Sequence, residues 1–125
     1  MIKILIADDE RDIRDLITFT LRFAGYEVIP TANGEEAFQT AVNMEEKPEL
    51  ILMDVRMPKM TGYEACENLK KNKGTKDIPV VFLSAKGQES EVRTGLDIGA
   101  EEYILKPFSP DQLIERIKVI LSRKR

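Results

Sequence analysis

Three carboxylates, one hydroxyl and one ammonium group follow four short apolar segments of the sequence, each at the point where a segment ends. The segments are residues 2–7, 50–53, 80–83 and 103–105, and the polar residues that follow them are Asp8 and Asp9, Asp54, Ser84 and Lys106. Short segments rich in β-branched residues and separated by helical patterns are typical of buried parallel strands. Because ligands bind at the carboxyl ends of such strands, we expect these side chains to lie at one edge of one sheet.

The three aspartates predict a metal site. Asp8 and Asp9 alone could serve the N-terminus of the next helix, which favours acidic groups, but two adjacent aspartates are more than one helix end needs. Two unit charges about 4 Å apart repel by roughly 4 kcal/mol at an effective dielectric constant of about 20, and a bound cation removes this repulsion. Oxygen donors without histidine or cysteine suit a hard ion, so we expect Mg2+ beside Asp8, Asp9 and Asp54.

Asp54 and Lys106 together predict phosphoryl chemistry. Pro58 fixes a turn after Asp54, so the carboxylate should stand at the mouth of the sheet. Alone, Asp54 could be a plain metal ligand and Lys106 its salt-bridge partner. With a metal ion on one side and an ammonium on the other, the site becomes a clamp for a trianionic phosphoryl group, and Ser84 adds a neutral donor. Ser84 by itself is weak evidence, since serine is common at strand ends.

The composition limits the classes of function. The chain has 125 residues, a net charge of −3, one cysteine and no histidine, which suits one globular domain. Without histidine there can be no catalytic triad or histidine-bound zinc, and any phosphohistidine must belong to a partner. The lone Cys66 predicts a buried side chain in a reducing cytosol. The acidic balance, the lack of a membrane-length apolar stretch and the lack of a visible signal peptide predict a cytoplasmic domain without direct nucleic-acid or membrane contact.

Strands and helices alternate five times, which predicts an α/β fold of (βα)5 type, a three-layer sandwich with right-handed crossovers. The first helix shows an apolar stripe that Gly25 should end, and residues 26–29 form the second strand. Capping patterns begin the second, third and fifth helices. The fourth helix, from about 88 to 98, is the least stable, because each interior glycine costs about 1 kcal/mol. The stripe comprises Ile13, Leu16, Ile17, Leu21 and Ala24, the capping residues are Asn33, Thr61 and Ser109, and the buried side of the fifth helix is Leu113, Ile117, Ile120 and Leu121.

These residues resemble the receiver domain of two-component response regulators, over the whole chain from 1 to 125. The match rests on Asp8-Asp9, Asp54, Met57-Pro58 with Gly62, Ser84-Ala85 and Lys106-Pro107, each in the right order after its strand. The family often has aspartate where this chain has Thr61. The resemblance implies a flavodoxin-like fold with a five-stranded parallel sheet of order 2-1-3-4-5, which the sequence alone does not give. It also implies a cis Lys106–Pro107 bond.

The resemblance further implies a role for each site residue. Asp54 would be the phosphoacceptor, with Ser84 and Lys106 contacting the phosphoryl oxygens. Asp8 and Asp9 would hold Mg2+, or Mn2+ in its place, together with Asp54 and the backbone carbonyl of Arg56.

Switching and regulation are implied in the same way. Ser84 and Tyr103 would be the switch residues. Arg56 and Lys86 flank the site at positions that influence phosphoryl lifetime in the family, and the direction of their effect here stays open.

The implied function is a signalling one. A sensor histidine kinase or phosphotransfer protein would phosphorylate Asp54, and the surface of the fourth helix, fifth strand and fifth helix would then change to control an output domain or target protein, or to form a homodimer. The domain would assist its own phosphorylation and dephosphorylation without being a turnover enzyme on an external substrate. Residues 121–125 are either the end of the last helix or the start of a linker, so a single-domain regulator and a receiver from a longer protein both stay open.

Three other classes compete with this interpretation. Phosphatases of the haloacid dehalogenase type need a second aspartate two residues after the nucleophile, where this chain has Arg56. A flavodoxin-like FMN binder needs free amides and hydroxyls after the first strand, and Asp8-Asp9-Glu10 would repel the FMN phosphate. A receiver that binds partners without ever being phosphorylated is disfavoured by the intact site but stays open.

Overall fold

The computed structural model describes residues 1–57, 60–85 and 99–123. Within these ranges there are five strands and four helices. The predicted fourth helix, Pro58 and Lys86 lie outside the described residues, so the last helix, predicted as the fifth, is α4 here. The elements are β1 (Lys3–Ala7), α1 (Arg11–Phe23), β2 (Glu27–Thr31), α2 (Gly34–Asn43), β3 (Leu50–Asp54), α3 (Gly62–Lys71), β4 (Val80–Ala85), β5 (Glu102–Lys106) and α4 (Pro110–Ser122).

All five strands form one parallel sheet in the order β2-β1-β3-β4-β5, which confirms the predicted topology. The register aligns the strand ends. Ala7 pairs with Met53, so Asp8 is level with Asp54. Asp54 pairs with Leu83, one residue before Ser84. The sheet therefore brings the polar ends of β1, β3 and β4 to the same edge.

Apolar residues bury both faces of the sheet, and this makes the fold a three-layer sandwich. One face, with Leu5, Ile51 and Phe82, packs against α2 and α3. The other face, which carries Ile4 and Leu52, packs against α1 and α4. Strands buried on both faces read as continuous apolar runs, which is why β1, β3 and β4 are clear in the sequence.

The helix ends confirm the predicted capping chemistry. Thr61 and Ser109 each form a reciprocal capping box, and the Asn33 side chain accepts a hydrogen bond from the Glu36 backbone. Gly25 follows α1 with a φ of 100°, a left-handed conformation that glycine adopts without steric cost. The buried face predicted for the last helix is also confirmed.

Two local predictions differ from the structure. Leu16 is 44% exposed, because Ile17 and Leu21 occupy the centre of the buried face of α1 and turn Leu16 to its margin. The second strand is displaced from the predicted 26–29 and includes Pro30. Proline is tolerated there because β2 is an edge strand, where a missing backbone donor leaves no central ladder bond unmade.

Cys66 is fully buried in α3, as predicted. Burial raises the pKa of its thiol to about 11, so the thiol stays protonated at neutral pH. Among the described residues, no helix combines the length and apolarity that a bilayer crossing would require.

Candidate functional site

The carboxyl edge of the sheet brings the three predicted aspartates together. One carboxylate oxygen from each of Asp8, Asp9 and Asp54 lies within 4.8 Å of the other two. Asp8 is completely buried and Asp54 is only 7% exposed, whereas Asp9 faces solvent. The donors are all oxygens and lie close enough to share one ion, so they fit a hard divalent cation such as Mg2+.

Every polar group of Asp8 makes a hydrogen bond. Its backbone N–H donates to the Thr31 carbonyl over 3.2 Å, and its Oδ1 accepts from the Glu10 backbone N–H over 2.9 Å. Its carbonyl accepts from Nη1 of Arg14 over 2.8 Å, and its Oδ2 accepts from Nζ of Lys106 over 3.0 Å. A buried carboxylate with this many donors is fixed in position and keeps its charge compensated.

Lys106 reaches the acidic cluster from the end of β5. Its Nζ lies 3.0 Å from Asp8 Oδ2, 3.6 Å from Asp54 Oδ1 and 3.9 Å from Glu10 Oε1. Burial alone would lower the pKa of Lys106, but Asp54, Asp8 and Glu10 outweigh it and raise the pKa above its usual value. Lys106 is therefore an ammonium at neutral pH. The peptide bond to Pro107 is cis, as predicted.

Asp54 is the carboxylate whose charge is least well compensated. Burial, then the negative charge of Asp8, and more weakly that of Asp9, raise its pKa from 3.8 to about 7, against the opposing effects of Lys106 and a hydrogen bond from the Arg56 backbone. At neutral pH, without a cation, this group is partly protonated. A divalent cation among the three carboxylates would favour the ionised form.

Ser84 contributes a hydroxyl that has no partner among the described residues. The residue is 1% exposed, and its Oγ makes no hydrogen bond to any atom of the described residues. A buried hydroxyl without a partner costs free energy, and an oxygen acceptor arriving at the strand ends would recover it. The other predicted switch residue, Tyr103, is half-buried in β5, three residues before Lys106, and packs beside Phe82 on the face covered by α2 and α3.

Arg14 and Gly62 show what supports the site. Sequence reasoning missed Arg14, because one arginine on a helix rich in charge carries no signal of its own. Gly62 was noted only as part of the family match. Its N–H donates to the Val55 carbonyl over 2.9 Å, and a Cβ there would overlap the backbone oxygen of Asp54 and lie 3.0 Å from Val55 Cα. The start of α3 thus packs directly on the backbone that presents Asp54.

We expect Gly62→Ala to lower the free energy of unfolding by about 1–3 kcal/mol, because the added methyl meets backbone atoms that cannot turn aside. Gly74→Ala is the matched control, because the nearest atom to a Cβ added at Gly74 is in the Asn72 side chain, 3.4 Å away. Urea unfolding of the two variants measures the difference. Equal stability of Gly62→Ala and Gly74→Ala would show that the backbone at the end of β3 shifts more easily than the contacts indicate.

The fold and the site together define the class: a flavodoxin-like α/β domain with an acidic cluster and a lysine at the carboxyl edge of its sheet. Residues 4–118 match the family model of the response regulator receiver domain, so the chain belongs to the receiver domains of two-component response regulators. The resemblance seen in the sequence is confirmed.

Individual relatives agree. The chain is 45% identical over 120 residues to the phosphate regulon transcriptional regulatory protein PhoB of Pseudomonas aeruginosa, with 96% of this chain and 52% of that protein aligned. It superposes on a putative response regulator from Chloroflexus aurantiacus with a TM-score of 0.88 and 37% identity, covering 96% and 97% of the two chains. For the chemotaxis response regulator CheY4 of Vibrio cholerae, the TM-score is 0.89 and the identity 32%, covering 96% and 98%. The chain spans about half the length of the curated relatives it matches.

Proposed function

We propose that the chain is a phosphorylation-controlled receiver in which Asp54 accepts a phosphoryl group from a phosphohistidine of a partner protein. The observation that carries this proposal is the position of the Asp54 carboxylate. It has an oxygen within 4.8 Å of one oxygen each of Asp8 and Asp9, and it lies 3.6 Å from the Lys106 ammonium. The partner is a sensor histidine kinase or a phosphotransfer protein, since the chain has no histidine of its own.

The transfer is a displacement at phosphorus. A carboxylate oxygen of Asp54 forms the new P–O bond and the P–N bond to the partner's imidazole breaks. The imidazole, protonated on its other ring nitrogen, leaves as the neutral ring with the bonding electron pair. Asp8, Asp9, Asp54 and the Arg56 carbonyl would hold Mg2+ or Mn2+, which when bound offsets negative charge on the phosphoryl oxygens. Catalysis of this kind relies on positioning and charge stabilisation more than on covalent chemistry.

Lys106 and Ser84 act on the phosphoryl group from the protein side. Lys106 keeps its positive charge and already lies between Asp8 and Asp54, so it can offset charge on a phosphoryl oxygen as the P–O bond forms. Ser84 has a buried hydroxyl that has no partner within residues 1–57, 60–85 and 99–123, and a phosphoryl oxygen would accept a hydrogen bond from it. Both contacts are stronger to the phosphorylated site than to the free one, which is what a switch requires.

Incubation with acetyl phosphate tests the proposal without a cognate kinase. Intact-mass measurement should show the gain of one phosphoryl group in the presence of Mg2+ and no gain after chelation. A chain that stays unlabelled with Mg2+ present, while its fold is intact, would instead favour the receiver that only binds partners.

Mg2+ should also raise the melting temperature, and Asp9→Ala should reduce that rise. Binding to the native state alone stabilises by about 2.7 kcal/mol at a hundredfold excess over Kd. Without metal, Asp9→Ala should melt at or above the parent temperature, because it removes one negative charge from the cluster. Asp12→Ala is the control, as Asp12 is exposed in the first turn of α1. Identical melting curves of the parent with and without Mg2+ would contradict the metal site.

We further propose that phosphorylation changes the surface of β5 and α4, together with the helix that the sequence predicts at about 88–98, outside the described residues. Support comes from β5, which carries both Tyr103 and Lys106, so a contact at Lys106 has a short route to Tyr103. Amide NMR with beryllofluoride as a phosphoryl mimic is the check. Changes confined to α1 and α2, with Tyr103 unaffected, would refute this route.

The remaining assignments follow from the same proposal. Residues 1–125 form the receiver domain of a cytoplasmic signalling protein without direct membrane or nucleic-acid contact. It assists its own phosphorylation and dephosphorylation and turns over no external substrate. It controls an output domain or target protein, or forms a homodimer on phosphorylation. Relatives named as transcriptional regulators support an output domain.

A further inference from the structure

Arg14 connects the start of α1 to the turn that carries two of the three site aspartates. Its backbone N–H donates to the Glu10 carbonyl over 2.9 Å, and its guanidinium donates to the Asp8 carbonyl over 2.8 Å. Its own carbonyl accepts from the Thr18 hydroxyl over 2.7 Å. One half-buried residue thus binds both ends of the segment from Asp8 to Glu10 and is itself held by the next turn of the helix.

This segment has little other support from α1. Glu10 is the N-cap residue, and its side chain makes no capping hydrogen bond. The Asp8 carbonyl lies after the last residue of β1 and before the first residue of α1, so neither the sheet ladder nor the helix ladder includes it. That carbonyl belongs to the planar peptide that joins Asp8 to Asp9. Holding it therefore fixes the direction in which the chain continues and the place from which the Asp9 side chain starts.

We propose that Arg14 is a positioning residue for the divalent cation site, acting through the Asp8–Asp9 peptide. The proposal rests on the proposed function in one respect, namely that Asp8 and Asp9 bind Mg2+. Of the two aspartates, Asp9 depends more on the contact that Arg14 makes. It is exposed, whereas Asp8 is buried and held at both carboxylate oxygens. Loss of a residue that orients metal ligands commonly weakens metal binding by 10–100-fold.

The charge of Arg14 and its hydrogen bond to the Asp8 carbonyl should have opposite effects on the Kd for Mg2+. As a cation near an acidic cluster, Arg14 repels Mg2+, so removing its charge alone would tighten Mg2+ binding. As a clamp on the Asp8–Asp9 peptide, it orders the ligands, so removing it would weaken Mg2+ binding. The sign of the change in Kd therefore separates the two roles.

Isothermal titration of the 125-residue chain with MgCl2 at constant ionic strength is the experiment. Arg14→Met keeps the apolar stem and removes the charge and the donors, and Arg14→Gln serves if the Met variant fails to fold. Arg11→Met is the matched control: Arg11 is on the same helix, 84% exposed, and its loss removes one positive charge without touching the turn. Arg14→Lys keeps the charge and one donor.

The expected result is a Kd for Mg2+ about tenfold higher in Arg14→Met than in Arg11→Met, with Arg14→Lys between them. A merely structural role would lower the metal-free melting temperature and leave the Kd of the folded protein unchanged. A Kd for Arg14→Met equal to or below that of Arg11→Met overturns the proposal. A parent chain that binds Mg2+ but takes up no phosphoryl group overturns the proposed function and leaves this comparison valid, whereas a parent that binds no Mg2+ overturns both.

Discussion

Asp54→Asn should abolish Mg2+-dependent uptake of a phosphoryl group from acetyl phosphate while the chain keeps its fold. The amide has almost the shape of the carboxylate but lacks the nucleophilic oxygen that must form the bond to phosphorus. It also removes one of the three anionic oxygens that converge at the strand ends. Intact-mass measurement over a time course, with circular dichroism to check the fold, gives the result.

Asp12→Asn is the matched control for this substitution. Asp12 is a solvent-exposed aspartate in the first turn of α1, outside the acidic cluster, so its labelling should follow that of the parent. Normal labelling of Asp54→Asn would mean that the phosphoryl group goes to another side chain. Loss of labelling in Asp12→Asn would mean that the assay reports general damage.

Without divalent cations, Asp54→Asn should be more stable than the parent at neutral pH, and the gain should vanish in acid. The pKa of Asp54 is about 7 in the fold and 3.8 as the ordinary value, so the unfolded chain releases this proton at lower pH than the folded chain does. The parent therefore loses stability as pH rises from about 4 to about 7 and is constant above that. Asparagine does not titrate. At about 1.4 kcal/mol per pH unit, the gain at neutral pH is on the order of 2–4 kcal/mol.

Urea unfolding in the presence of a chelator, at about pH 5 and about pH 8, measures this effect through the linkage of stability to proton binding. Asp12→Asn should show no comparable gain at the higher pH, because its carboxylate is exposed. If the free energies of unfolding of the parent and of Asp54→Asn changed in parallel with pH, the negative charge of the buried acidic cluster would be better compensated than its contacts indicate. Mg2+ should reduce the difference, since the parent gains a ligand that Asp54→Asn binds less well.

The convergence of the site could be predicted because it depends on few assumptions. Once β1, β3, β4 and β5 are parallel strands of one sheet, Asp8, Asp54, Ser84 and Lys106 must reach the same edge. The apolar runs that mark these strands are strong signals because both faces of the sheet are buried. The strand order was implied by the family resemblance, since alternation of strands and helices fits several orders.

The features that sequence reasoning missed depend on contacts between distant residues or on backbone geometry. Arg14 acts by folding back on the Asp8 carbonyl, which no spacing rule reveals. The Ser84 hydroxyl has no partner in the described part of the chain, and this depends on how its surroundings pack. Leu16 fits the helical period, but small rotations of α1 decide which residue lies at the centre of the buried face. The predicted second strand stops at residue 29, whereas β2 continues through Pro30, because an edge position is not visible in the sequence.

The relatives differ in the roles that their names give. A protein named as a transcriptional regulator and one named as a chemotaxis response regulator both share this fold or much of this sequence. Fold alone does not decide what such a domain controls.

Mapping the modified residue is the most direct test of Asp54 as the phosphoacceptor. The chain is phosphorylated with acetyl phosphate and Mg2+, the acyl phosphate is trapped by borohydride reduction, and the peptides are sequenced by mass spectrometry. The reduced residue should be Asp54, and chelation of Mg2+ before the reaction should prevent its labelling. Modification of Asp8, Asp9 or Ser84 with Asp54 unmodified would contradict this assignment.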